Sequence, residues 1–433
     1  MCSGSKNRIN AKMKNDYILA VRTLAISVGA GAASMFVGVY GVLIGASAAE
    51  MGWLQSSANS IANSGQLLWG RISDRFGRRK PFLFFGSIAL AVLWLFMAVI
   101  STPVELVITY AAVSLVAAMI TVNWFSLIAD ITASSRRGRF LSVLNNVGSV
   151  GTLLAVGVMI FILHGSARRE IQIPFIAAAV SYVASAILVT QISEKEHATR
   201  LTSSIRQTFS SMKEHDYFYR YFVAMNVQGF FWSMAWPIFP ITMVSVMHFD
   251  LPTIALLTVI ALVSTIVGQF LVGRFVDRVD RMPLIFINRL MLSAIPLFYA
   301  IFNTFDEFAF LELYSGIAGA IQNVVMMSYL MDVSPETHRA EFISIMNGFN
   351  GAVYFAGALT GGYMLEFMLK THPLLIALSI VYGIIVAGRF GTSFMFLRLK
   401  EPENRGRGRL GIFAILYRLK FPGIPSGATV KPR

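Results

Sequence analysis

Stretches of about twenty predominantly apolar residues recur along almost the whole chain, and this pattern constrains the fold more than any other feature. A segment of that length and character matches the hydrocarbon thickness of a bilayer, and in lipid its backbone must satisfy its own hydrogen bonds, so each run reads as a transmembrane helix. Twelve such spans are expected, beginning near Thr23, Trp53, Phe82, Glu105, Phe140, Ile171, Tyr221, Thr253, Leu284, Phe308, Phe342 and Pro373. Only 13% of the residues are charged against 56% hydrophobic; a water-soluble domain carries roughly twice that share of charge. The fold class is therefore an all-α integral membrane protein.

The charges that remain are unevenly placed. With the N-terminus in the cytoplasm, 31 of the 36 Lys and Arg fall on the cytoplasmic side or its margin. Arg168, Arg169 and Lys370 then lie outside, while Arg289 and Arg389 fall within spans near their cytoplasmic ends and read as snorkelling side chains. That bias puts both termini in the cytoplasm, with the plasma membrane as the expected location. It also assigns the formal charge of +14 to topology and to an anionic inner leaflet, with no nucleic-acid partner. The polar, basic start, Met1 to Asp16, has no signal-peptide pattern. A single cysteine, Cys2, leaves no internal disulfide and no cysteine metal cluster.

Residues 1–16 read as a cytoplasmic segment, 17–192 and 218–400 as two six-helix bundles, 193–217 as a cytoplasmic linker, and 401–433 as a basic tail. Within the linker Ile205, Phe209 and Met212 recur at helical spacing, as on an interfacial amphipathic helix. The two bundles repeat one another. Gly65-Gln66-Leu67-Leu68-Trp69-Gly70-Arg71-Ile72-Ser73-Asp74-Arg75 returns as Gly268 to Arg278 with seven of eleven positions identical, and Asp130 to Asn145 returns as Asp332 to Asn347 at nearly the same offset. Six spans per copy preserve orientation, so the bundles are parallel repeats about a pseudo-two-fold axis.

Gly70-Arg71-Ile72-Ser73-Asp74-Arg75-Phe76-Gly77-Arg78-Arg79-Lys80 resembles the signature loop, G-x-x-x-D-R-x-G-R-R, of the major facilitator superfamily (MFS) of transporters, and the resemblance covers about residues 17 to 400. It implies alternating access by two rocking bundles, and a cytoplasmic latch in which Asp74 contacts the facing half. Gly70 would allow close helix approach, Gly77 a tight turn with positive φ, and Arg75, Arg78 and Arg79 would stay among the headgroups. Asp130 and Arg137, after span four, resemble a second cytoplasmic element that supplies a partner. The second copy departs from the pattern, with Asp280 where Gly77 stood and the basic pair reduced to Arg281. Span four lacks the Arg associated with proton-coupled drug and sugar carriers of the family, and span five lacks the Gly-Pro pair that resembles drug/proton antiporters.

The resemblance also places the first, fourth, seventh and tenth helices around a central site. Candidate cavity residues are Asn123, Trp124, Asn145, Asn226, Gln228, Trp232, Trp236, Gln322, Asn323 and Asn347: amides and aromatic faces without a fixed charge. Each amide could instead stitch helices together, at about 0.6 kcal/mol apiece. Glu312, inside an apolar run, is the candidate coupling residue, since an ionisable group within the membrane is a functional hypothesis by default.

The expected function is movement of a small, neutral or amphipathic organic solute by a monomeric transporter with no cofactor and no metal. The alternatives are a proton-coupled multidrug or metabolite exporter, or a transporter fold used as a sensor or lipid-handling protein. A membrane enzyme is disfavoured, because no metal motif or mid-span Cys or His is found.

Overall fold

A computed structural model describes residues 2–132, 134–164, 170–192, 194, 212–276, 280–335 and 339–399. Within them twelve long helices account for almost every residue: α1 Cys2–Leu43, α2 Ala48–Phe76, α3 Lys80–Val99, α4 Pro103–Ile131, α5 Ser134–Ile162, α6 Gln172–Thr190, α7 Asp216–Val246, α8 Leu251–Phe275, α9 Arg281–Ile301, α10 Phe305–Val333, α11 Arg339–Leu369 and α12 Leu374–Arg398. Eleven are both long and apolar enough to cross a membrane. The exception, α2, has the length but carries Gln55, Ser56, Asn59, Ser60 and Asn63 along its middle. It tolerates them because it packs against α4 within its own bundle and α11 of the other.

Local chemistry sets the helix ends. Ser47 and Glu50 form a reciprocal capping box at the start of α2, and Thr304 and Glu307 do the same for α10. Gly77 ends α2 in the left-handed conformation, φ 63°, as expected for the loop. That loop is then clamped at both of its charges. The Glu194 carboxylate accepts the Arg79 and Lys80 amides at 2.5 and 2.9 Å at the start of α3, and Lys80 Nζ donates to Thr190 and Ile192 carbonyls at 2.6 and 2.9 Å at the end of α6. An anion at a helix start and a cation at a helix end both oppose the helix dipole favourably.

The bundles expose apolar side chains outward, as a bilayer requires. Ile88, Val92, Leu95 and Val99 line one face of α3, and Ile173, Ile176, Val180, Val183 and Ile187 one face of α6. The halves meet mainly along α2–α11 and α5–α8, with α7 also touching α1 and α2. One face of the molecule carries the α2–α3 loop with Arg71, Arg75, Arg78 and Arg79 and is called the basic face below.

Candidate functional site

The halves are joined towards the face opposite the basic one. There the Glu366 carboxylate accepts the Ala49 amide at 2.8 Å and Trp53 Nε1 donates to the Tyr363 hydroxyl at 3.0 Å. Gly52 and Gly362 bring the backbones of α2 and α11 together; a Cβ on Gly362 would lie 2.5 Å from the Ala48 carbonyl oxygen. Contact continues through the Ser56 hydroxyl, which donates to the Phe355 carbonyl at 2.9 Å, to Gly351 against Asn63. Nearer the basic face, Ser64, Arg71, Asn145 and Asn347 are exposed. Among the described residues the halves are thus sealed together at the face opposite the basic one.

Behind the seal lie two cavities. The first, about 460 Å³, is walled by α1 and α2 from one half (Met35, Val39, Gln55, Asn59) and by α7, α8 and Glu312 from the other. The second, about 360 Å³, sits inside the C-terminal bundle among Trp232, Tyr299, Glu312, Gln322, Asn323 and Arg389. Phe239, Tyr299 and Glu312 line both, so Glu312 stands where they adjoin. Among the described residues its carboxyl has no hydrogen-bond partner or ion pair.

Interrupted helices shape these walls. α7 loses its regular ladder at Ala235–Pro237, continues through Ile238–Ile241 and ends in a π-turn at Thr242–Val246, while α10 has a π-turn at Gln322–Met326. Such turns free backbone groups and redirect side chains, and they concentrate at functional sites. Trp232, Trp236, Gln322 and Asn323, on or beside these interruptions, line the cavities. Trp232, Trp236 and Tyr354 pack edge to face with ring centroids 5.3–5.9 Å apart.

The other expected cavity residues are distributed differently. Asn123 is fully buried and donates to the Met119 carbonyl of its own helix, and Asn226 does likewise to Phe222. Gln228 is buried as a scaffold partner of Arg289, Trp124 lies beneath the Arg22 guanidinium at 4.2 Å, and Asn145 and Asn347 are exposed nearer the basic face. Gly70 is not a close-approach point, since a Cβ there would meet Val122 at an ordinary 3.6 Å; Gly65, 3.0 Å from the Ala118 Cβ, has that role. Arg75 and Arg78 are exposed, whereas Arg79 Nη1 donates to the Ser73 hydroxyl at 2.7 Å. The side chains of Asp74, Asp130 and Arg137, and the residues 195–211 and 401–433, lie outside the described residues. In the second repeat Arg281, which occupies the register of Arg78, pairs with Asp332, which occupies that of Asp130.

The arginines within spans require a correction. Arg289 and Arg389 do not snorkel: they are 2% and 1% exposed. Arg289 donates to Gln228 at 2.9 Å, to Asn288 at 2.6 Å and to Gln322. Arg389 donates to the carbonyls of Phe231, Trp232 and Leu292 at 3.3, 2.7 and 2.8 Å. Arg22, counted above with the cytoplasmic margin, is 2% exposed. The expectation of a cavity without fixed charge is therefore overturned, because Arg389 lines one wall.

The sequence profile of the Major Facilitator Superfamily matches the chain twice, over residues 20–225 and 221–414. No curated sequence matches it closely enough to count as a relative. Among solved structures, the nucleoside transporter NupG superposes with a TM-score of 0.71 at 14% identity, over 90% of this chain and 99% of that one. A D-xylose–proton symporter gives 0.68 at 16% identity, over 91% and 99%. A bacterial homolog of the human lysosomal transporter Spinster, inward-facing and unoccupied, gives 0.63 at 12% identity, over 92% and 99%. At such identities the likeness is one of fold.

Proposed function

The chain belongs to the Major Facilitator Superfamily, and from that premise we propose that this multi-pass membrane transporter carries a small, neutral or amphipathic organic solute by alternating access, with Glu312 as its coupling residue. The solute occupies the adjoining cavities and exchanges sides as the two bundles rock about them. The observation that carries this reading is the position of Glu312 in the walls of both cavities, one between the halves and one within the C-terminal bundle. A group so placed feels both the solute and the relative position of the halves.

The walls suit an uncharged or amphipathic guest. Trp232, Phe239 and Tyr299 offer aromatic faces, Gln55, Asn59, Gln322 and Asn323 offer amides, and the three nitrogens of Arg389 already donate to backbone carbonyls. The unpartnered carboxyl of Glu312 favours a proton, taken up and released there, as the coupled ion; a second reading, a proton-coupled exporter, keeps that role and differs in the direction of solute movement. In this reading the membrane is the plasma membrane and the basic face, with both termini, lies in the cytoplasm, an orientation that the charge bias supports. Asp74 then helps close the basic face during the cycle, with Asp130 and Arg137 beside it. The protein acts as a monomer among lipids, through binding and movement without a chemical step.

Thermal-shift screening of purified protein against sugars, nucleosides, amino acids, organic acids and amphipathic drugs, at pH 5.5 and 7.5, tests this. A neutral or amphipathic solute is expected to raise the melting temperature, and the pH dependence of that rise is expected to vanish in Glu312→Gln. Stabilisation by strongly charged solutes alone would overturn the solute class. Unchanged pH dependence in Glu312→Gln would overturn the role of Glu312.

A further inference from the structure

Helix α7 crosses the wall of both cavities while its hydrogen-bond ladder is broken, and the break leaves carbonyls to be satisfied within the membrane. Pro237 has no N–H, so the Ser233 carbonyl takes its bonds from Trp236, at 3.1 Å, and from Ala235 instead. Those two amides would otherwise serve Trp232 and Phe231. In α9, Pro296 likewise has no N–H to offer the Leu292 carbonyl four residues earlier. Three backbone oxygens are thereby orphaned on two neighbouring helices.

Arg389 donates to those same three oxygens. Nε reaches Phe231, Nη2 reaches Trp232 and Nη1 reaches Leu292. Gly388 makes the reach possible: a Cβ there would lie 2.1 Å from the Phe231 ring, so α12 approaches α7 as closely as a glycine permits. A planar guanidinium with donors in a fixed fork suits three fixed acceptors, where a lysine ammonium is a single point of charge. The carbonyl dipoles in turn offset a cation that is 1% exposed.

We propose that Arg389 is a positioning residue: by bonding the carbonyls orphaned at the α7 break and at Pro296 it holds the distal segment of α7 in its bent course, and with it the seal. The distal segment presents Phe239 and Met243 to the cavities and sets Pro240 against Gly38 of α1, where a glycine Cβ would lie 3.0 Å from the Pro240 ring. Loss of the clamp loosens that contact and shifts the empty protein towards opening at the sealed face. A countercharge for an anionic solute, by contrast, would leave the empty protein unchanged. The inference concerns the unliganded chain, so it stands or falls apart from the solute class proposed above.

The test is hydrogen exchange of full-length Arg389→Gln and Arg389→Lys in nanodiscs, together with spin-label distances between Ser101→Cys and Lys370→Cys in a Cys2→Ser background. In Arg389→Gln, amides 235–246 are expected to exchange about tenfold faster or more, as loss of charge-assisted bonds implies, while α4 is unchanged. Distances across the sealed face shift towards the longer population, and Arg389→Lys lies between the two. Adding Pro296→Ala supplies the missing donor to Leu292, so acceleration in α9 disappears while that in α7 persists. If Arg389→Gln does not fold, the lysine variant with and without Pro296→Ala carries the same comparison. Unchanged exchange at 235–246, or unchanged distances in the empty protein, overturns the proposal.

Discussion

Glu366 offers a quantitative handle on the seal. Its carboxylate accepts the amide of Ala49 across the two halves, at 2.8 Å, in the first turn of α2. Amides in a first turn have no acceptor within their own helix, and the helix dipole favours a negative charge there. A hydrogen bond to a charged group contributes about 1.5–3 kcal/mol, and it exists only while this face is closed. Glu366→Ala should therefore multiply the open-to-closed ratio by about 10- to 150-fold, at 1.4 kcal/mol per factor of ten. Trp53→Phe removes a neutral bond at the exposed rim, worth about 0.5–1.5 kcal/mol, and should act more weakly. Distances between spin labels at Ser101 and Lys370 in the Cys2→Ser background report the ratio directly. A distance distribution unchanged in Glu366→Ala would refute the reasoning, as would a larger effect from Trp53→Phe.

Other consequences follow from the same geometry. Arg289→Ala removes the common donor of buried Gln228 and Asn288 and half-buried Gln322 and should lower stability by about 1–3 kcal/mol, read as loss of melting temperature in detergent. Arg281→Ala removes the Arg281–Asp332 pair and should lower the melting temperature, with the double variant Arg281→Ala/Asp332→Ala recovering part of the loss. Gly362→Val forces α2 and α11 apart at the Ala48 carbonyl and should give the same opening as Glu366→Ala, measured by the same distances. A shift towards closure would contradict it.

Fold and site differ in how far they can be read from residues. Helix number, order and repeat follow from apolar length and the returning Gly-Gln-x-Leu-x-Gly-Arg pattern, because a bilayer leaves the backbone few alternatives. α2 reads as a span by its length and by the repeat, although its polar middle keeps it from passing by hydropathy. Gly77 is legible for the same kind of reason, since its turn needs a left-handed residue.

Direction is harder to read than depth. Arg389 lies near the basic face, which suggested a side chain reaching for headgroups; yet α12 runs towards that face, and the Cα–Cβ bond of a helix tilts back towards its N-terminus, into the membrane. The available signal was Pro296 and Pro237, each of which deprives a carbonyl of its donor. Asn123 and Asn226 look like cavity amides by composition, but an asparagine in a helix can bond the carbonyl four residues back, and both do. The shared position of Glu312 depends on how α8 and α9 pack around α10, which no local pattern encodes.

Solute uptake into proteoliposomes tests the central claim most directly, comparing wild type with Glu312→Gln, with and without an imposed proton gradient, for any solute that raises the melting temperature. Saturable uptake of a neutral or amphipathic solute, with its response to the gradient lost in Glu312→Gln, is the predicted result. Uptake no faster than in protein-free vesicles, or a gradient response that persists in Glu312→Gln, would contradict the account.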